Sequence, residues 1–134
     1  MGLLIDSSVL IDLERRGLSP GALNENDAEP CAVSALTVSE LLFGLYRART
    51  DRQRTQRQTF IDAALAVLPV LPFDLPVAQV HARLWAELVA SGQRIGAHDF
   101  MIAATALAHQ YTLVTHDVRE FERIPGLEVR QARW

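Results

Sequence analysis

Four acidic residues, Asp6, Glu40, Asp99 and Asp117, each fall where a run of strand-like residues ends or a helical run begins. Asp6 follows the apolar triplet "LLI", and Asp117 comes two residues after "YTLVT". Glu40 closes "TVSE" at the head of one helical run, and Asp99 stands in "GQRIGAHDF" at the head of another. Carboxylates brought close together repel and resist joint ionisation, so at least one pKa rises unless a cation is bound. An all-oxygen set with several carboxylates suits Mg²⁺ or Mn²⁺ rather than zinc. Such an ion lowers the pKa of a bound water and stabilises charge on a phosphodiester, so the implied chemistry is hydrolysis of a phosphate ester.

Each acid also has a local reading. Glu40 can complete a capping box by bonding back to Thr37. Asp99 can answer the positive end of its helix, and Asp117 can form an Asx-turn in "THDV". Asp6 is the hardest to explain locally, because Ser7 or Ser8 already supplies a cap for the helix that follows. These readings account for the acids one at a time and not for their common edge. Asp12, Glu14, Asp51, Asp62, Glu87, Glu120, Glu122 and Glu128 are scattered among arginines and read as solvent-facing charge. The histidines do not form a metal set: His98 and His109 would stand about 16 Å apart along a helix.

The elements that must deliver the acids follow from hydrophobic pattern and turn chemistry. Leu3–Asp6 reads as a buried strand, followed by the helix "VLIDLERR", which stops at Gly17. "GLSPGALNENDAEP" is loop with room for one short helical turn. "CAVSAL" is a second strand, and the residues from Thr37 to Leu68 form two helices. "PVLPF" is a third strand. Pro76 opens a helix with an apolar stripe of Val77, Val80, Leu84 and Leu88, ending near Ser91 and Gly92. "HDFMIAATALAHQ" is a helix whose alanines permit close packing on a sheet, "YTLVT" a fourth strand and "LEVRQ" a last edge strand. Alternating strands and helices imply parallel βαβ units, and thus a single α/β/α sandwich over residues 1–134 with a central, mostly parallel sheet. In such folds the ligand crevice lies beyond the carboxyl ends of the strands, where these acids fall.

Composition narrows the alternatives. With 134 residues, 49% of them hydrophobic and 22% charged, the chain has material for one core. Cys31 is the one cysteine, so no intrachain disulfide forms; it reads as a small buried hydrophobe of a cytoplasmic protein. The first residues carry no signal-peptide pattern, and "AALAVLPVLPF" is too short to span a bilayer. All 13 basic residues are arginine. Receiver domains and aspartyl phosphatases, which also use an Asp after a parallel strand, need a lysine that this chain lacks. Arg47, Arg49, Arg52, Arg54 and Arg57 make a local basic stretch, and Arg119 and Arg123 follow Asp117; guanidinium groups there suit phosphate contacts.

The ordered set of Asp6 after a strand, "SALTVSELLFG", "GQRIGAHDFMIAA" and "LVTHDVREFERIPGL" resembles the PIN-domain nucleases, and within them the VapC toxins of type II toxin–antitoxin systems. The resemblance spans nearly the whole chain. It implies a metal-dependent endoribonuclease that cuts structured RNA such as tRNA or rRNA, with Mg²⁺ or Mn²⁺ held by Asp6, Glu40, Asp99 and Asp117 as the catalytic acids. Thr115 would orient ligands or water, Ser7 matches a supporting hydroxyl, and Arg47, Arg49 and Arg119 are candidates to hold RNA. Close relatives often carry Asn at the position of Asp117. The resemblance further implies a homodimer, and a cognate VapB-like antitoxin whose C-terminal segment fills an apolar groove, with DNA contacted only through that antitoxin. Phe43, Leu45 and Tyr46 could line the groove, although core packing is the default for each. The competing reading is an inactive PIN module acting through its partner in a DNA-binding regulatory complex.

Overall fold

The computed structural model describes residues 2–25 and 29–134, so the middle of the expected first loop, residues 26–28, lies outside the described residues. The elements run β1 (Leu3–Ile5), α1 (Ser7–Arg15), α2 (Ala22–Glu25), β2 (Cys31–Ser34), α3 (Ala35–Tyr46), α4 (Asp51–Val67), β3 (Val70–Leu71), α5 (Leu75–Ala90), α6 (Ala97–His109), β4 (Thr112–Thr115), α7 (Val118–Glu122) and β5 (Val129–Gln131). The five strands form one sheet in the order β3-β2-β1-β4-β5, and every pairing is parallel. The chain therefore builds outward from β1 to β3, then returns to the other side of β1 for β4 and β5. That reversal leaves a crevice between the carboxyl ends of β1 and β4, the place where open α/β sheets bind ligands.

Both faces of the sheet are covered, which explains why its central strands are apolar without interruption. Along β1 the pleat sends Leu3 and Ile5 to one side, against Val9, Leu10 and Leu13 of α1, Leu41 and Leu45 of α3, and Phe60 and Ile61 of α4. Leu4 goes to the other side with Leu84 and Leu88 of α5, Ile102, Ala103 and Ala106 of α6, and Phe121. The fully buried Ala103, Ala104 and Ala106 let α6 lie close on the sheet, as the sequence predicts. Cys31 is buried, also as expected. Among the described residues no helix is long and apolar enough to cross a membrane.

β3 and β5 are shorter than "PVLPF" and "LEVRQ", and two further boundaries that differ from expectation matter for the site. α1 begins at Ser7, with Asp6 at its cap position but making no side-chain cap bond, so neither serine is the cap. β2 ends at Ser34 instead of Leu36, because Ser34 caps α3: its Oγ accepts the Thr37 N–H at 3.1 Å and donates to Thr37 Oγ at 3.2 Å. α3 therefore starts two residues before Thr37, and Glu40 falls in its second turn.

The helices on the α1 side are tied by Arg57 of α4, whose Nε and Nη2 each donate to the Glu14 carboxylate of α1 at 2.8 Å while Nη1 donates to Leu41 O of α3 at 3.1 Å. The guanidinium passes directly over Gly44, where a Cβ would collide with Nη1. Gly44→Ala should thus lose stability by about 1–2 kcal/mol: the gain in helix propensity, about 1 kcal/mol, is smaller than the cost of displacing a bidentate, largely buried charge pair. Urea denaturation reads the difference, and a more stable Gly44→Ala protein would show that the pair contributes little.

Candidate active site

The site grows from the β1–β4 crevice. Ile5 pairs with Val114, so the next residues, Asp6 and Thr115, stand opposite each other at the strand ends. Asp6 N–H donates to Val114 O at 2.9 Å, and Thr115 Oγ donates to Asp6 Oδ2 at 2.8 Å. Ser8, on the first turn of α1, donates to the same Oδ2 at 2.8 Å. Asp6 is only 4% exposed, yet its Oδ1 has no hydrogen-bond partner. A buried carboxylate oxygen without a donor is costly, and the Asp6 charge bears on both Glu40 and Asp99.

Glu40 reaches the same place from α3. Ser34 already caps that helix, so the capping-box reading of "TVSE" fails and Glu40 is released to accept from Ser7 Oγ at 3.2 Å. Its other oxygen, Oε1, is buried and unpartnered. Burial pushes its pKa above the ordinary carboxylate value, and the nearby Asp6 charge adds to the rise against the Ser7 hydrogen bond and the His98 charge.

Asp99 is the third residue of α6, where Gly96 provides no side-chain cap. A carboxylate answering only the helix dipole would ionise more readily. Instead, Asp99 is pushed up to about 6, first by burial and then by the charges of Asp6, Glu120, Glu40 and Asp117. Desolvation and repulsion outweigh the dipole. The same field shows which acids share one neighbourhood.

Asp117 sits at the rim and is exposed, its backbone N–H held by Thr115 Oγ at 2.9 Å while its side chain makes no cap bond to α7. Glu120, read from the sequence as solvent-facing, is partly buried, and its charge bears on Asp99. It lies in α7, a five-residue helix that the hydrophobic pattern does not announce. Arg123 Nη2 fixes it, donating to Glu120 Oε2 and to Arg94 O at 2.8 Å each, and so ties the segment before α6 to α7.

The remaining candidates fall elsewhere. Arg119 is exposed on α7. Arg47 and Arg49 line a groove of about 1180 Å³ with Glu14, Leu18, Arg57 and Phe60, and none of the acids Asp6, Glu40, Asp99 or Asp117 lines it. Phe43 and Tyr46 are 64% and 80% exposed, against the default of core packing, whereas Leu45 is buried and cannot line an open surface. Arg47 lies over the Phe43 ring at 5.8 Å. His81 packs edge-on against Phe73 and Phe100. His116 points away from the acids to Gln131 and Asp12.

Among the described residues, no three Asp, Glu, His or Cys side chains are drawn tightly around one point. The residues nevertheless fit a hard divalent cation: two buried carboxylate oxygens lack any donor, and several negative charges oppose the ionisation of Asp99.

Residues 3–127 match the PIN-domain family. Over 96% of its length the chain is 36% identical to "Ribonuclease VapC" of Rickettsia bellii, covering 95% of that protein. It is 31% identical to the "tRNA(fMet)-specific endonuclease VapC" of Salmonella typhimurium over 79% of this chain and 77% of the relative. In three dimensions it superposes with a TM-score of 0.87 on the crystal structure of VapBC2 from Rickettsia felis bound to a DNA fragment from the promoter, at 25% identity and covering 99% of this chain and 100% of that one.

Proposed function

The chain belongs to the VapC family of PIN-domain ribonucleases, and from that premise we propose that it is a divalent-metal-dependent endoribonuclease, the toxin of a type II toxin–antitoxin pair, which stops translation by cutting tRNA or rRNA. One observation carries the catalytic part: Asp6 Oδ1 and Glu40 Oε1 are buried without donors inside a field of like charge. One PIN unit accounts for residues 1–134.

Asp6, Glu40 and Asp99 would hold Mg²⁺ or Mn²⁺, with Asp117 and Glu120 adding negative charge. When bound, the ion neutralises the phosphodiester and makes an attacking water more acidic. Thr115 holds Asp6 in position and, through the Asp117 N–H, the loop that follows β4. Asp117 orients the attacking water, and hydrolysis leaves a 5′-phosphate and a 3′-hydroxyl. Purified protein incubated with tRNA or rRNA should therefore yield 5′-phosphate ends with Mg²⁺ or Mn²⁺ and none with EDTA. Ends carrying a 2′,3′-cyclic phosphate would overturn the water-attack mechanism, since they require the 2′-hydroxyl as nucleophile.

Arg119, Arg47 and Arg49 supply phosphate contacts. Changing all three to Ala should weaken RNA binding and flatten the plot of log affinity against log salt by about 2, from about 0.7 per contact to a single strand. An unaltered slope in filter binding at several salt concentrations would remove them from the interface. The cognate partner is a VapB-like antitoxin. The groove at Leu18, Arg47 and Phe60 has the apolar floor and basic rim to seat a segment of it, and promoter DNA is contacted through the antitoxin. The outer face of α5, with Leu75, Trp85 and Val89 at 70%, 59% and 66% exposure, is the pairing face of a homodimer. Trp85→Asp should then run as a monomer in sedimentation, whereas a dimer of that variant would place the pairing face elsewhere.

A further inference from the structure

Three hydroxyls share a task that the acids alone do not explain. Ser8 Oγ and Thr115 Oγ both donate to Asp6 Oδ2, and Ser7 Oγ donates to Glu40 Oε2. The opposite oxygens, Asp6 Oδ1 and Glu40 Oε1, are the two that remain buried and free. A hydroxyl has a single proton, so Ser8 and Thr115 cannot donate elsewhere without releasing Oδ2. Both are also held from behind, because the His116 N–H donates to Ser8 Oγ at 3.3 Å and the Asp117 N–H to Thr115 Oγ at 2.9 Å. With both protons committed to Asp6, the 3.4 Å approach of the two hydroxyl oxygens is a close pass and not a third bond.

A carboxylate can offer a cation one oxygen or both, and ions differ in which they accept. Ca²⁺ takes six to eight oxygens in flexible geometry and readily uses carboxylates bidentately, whereas Mg²⁺ demands a near-octahedral set. We propose that Ser7, Ser8 and Thr115 are selectivity residues: by engaging one oxygen of Asp6 and one of Glu40 they leave each carboxylate a single free oxygen, and so favour Mg²⁺ and Mn²⁺ over Ca²⁺. The proposal rests on reading the acids as a divalent-ion site. The hydroxyls do not ligate the ion; they are positioning residues that act through the carboxylates. Two of them are consecutive, so the first turn of α1 sets the denticity of acids arriving from two different elements, β1 and α3.

Calorimetric titration of the full-length protein with Mn²⁺, Mg²⁺ and Ca²⁺ separately tests the idea through a ratio that a general loss of structure does not move. The wild type is expected to bind Mn²⁺ and Mg²⁺ at least about tenfold more tightly than Ca²⁺. In Ser7→Ala, which strips Glu40 Oε2 of its hydroxyl donor, that preference should shrink by about tenfold, the low end of the effect of removing a ligand's outer hydrogen bond, and Ser7→Thr should restore it. Ser8→Ala combined with Thr115→Ala carries the same expectation through Asp6 Oδ2, which either hydroxyl alone still engages, so the test survives a Ser7→Ala protein that fails to fold. A ratio unchanged in both alanine variants overturns the proposal and leaves the ion site standing. A wild type that binds none of the three ions, or an Asp6→Asn protein that binds them equally well, removes the site and the proposal together.

Discussion

Asp99→Asn is expected to lower metal-dependent RNA cleavage by at least about 1000-fold while raising the melting temperature of the metal-free protein at pH 7.5. The two effects have opposite signs because one carboxylate serves one purpose and costs another. A metal ion supplies several kcal/mol of transition-state stabilisation, and each 1.36 kcal/mol lost is a factor of about ten in rate. Without the ion, the same side chain is a liability. Burial and the charges of Asp6, Glu120, Glu40 and Asp117 lift its pKa from 3.8 to about 6. A shift of that size would cost about 3 kcal/mol at neutral pH if Asp99 were sealed from water, and screening at a partly exposed group reduces it to about 1 kcal/mol. The neutral amide removes that cost and should gain a few degrees in melting temperature. Asp6→Asn should lose activity as severely, because it replaces the carboxylate whose Oδ2 accepts from both Ser8 and Thr115 and whose Oδ1 stands buried without a donor. An Asp99→Asn protein that is less stable and still cleaves RNA would identify Asp99 as a structural residue. Parallel nuclease assays and thermal melts distinguish the outcomes.

Which parts of this arrangement the sequence discloses depends on how many physical solutions a local pattern allows. "LLID" has few: three apolar residues too short for a helix must be a buried strand, and the Asp then stands at its end. The order of strands and helices likewise leaves little choice but parallel crossovers, and the sheet is parallel throughout. "SALTVSE" has two solutions of similar energy, a cap at Ser34 or at Thr37, since both offer a hydroxyl to an N–H three residues on. The tertiary structure chooses Ser34, and that choice frees Glu40 for the site. Glu120 was hidden for a different reason. It lies in a five-residue helix too short to show a period, among arginines that make any acid look solvated. Phe43 and Tyr46 look like core because they are large and apolar, but on α3 they face away from the buried Leu41 and Leu45. A period of 3.6 gives the relative faces of a helix and does not say how wide the covered face will be.

Metal-free protein should melt at a lower temperature at pH 7.5 than at pH 5 on account of the acid cluster, and a divalent ion should reverse that order. Asp99 and Glu40 both have folded-state pKa values raised above their unfolded ones. The folded state therefore binds protons more tightly, and the stability contributed by those protons is present below the unfolded pKa, near 4, and lost as pH rises through about 6 for Asp99. Comparison with Asp99→Asn isolates this part of the pH dependence from every other titrating group, because the amide has no proton to lose. Mn²⁺ at a hundred times its dissociation constant adds about 2.7 kcal/mol, enough to raise the melting temperature by roughly 5–10 °C at pH 7.5. At pH 5 the proton held by Asp99 competes with the ion, so the ion's effect should fall to about half of that. A manganese shift of equal size at pH 5 and pH 7.5 would mean that the ion binds away from Asp99 and Glu40. A wild type and an Asp99→Asn protein with parallel melting curves across this range would mean that the acids do not oppose one another's ionisation. Their convergence on the crevice between β1 and β4 would then need an explanation other than a cation.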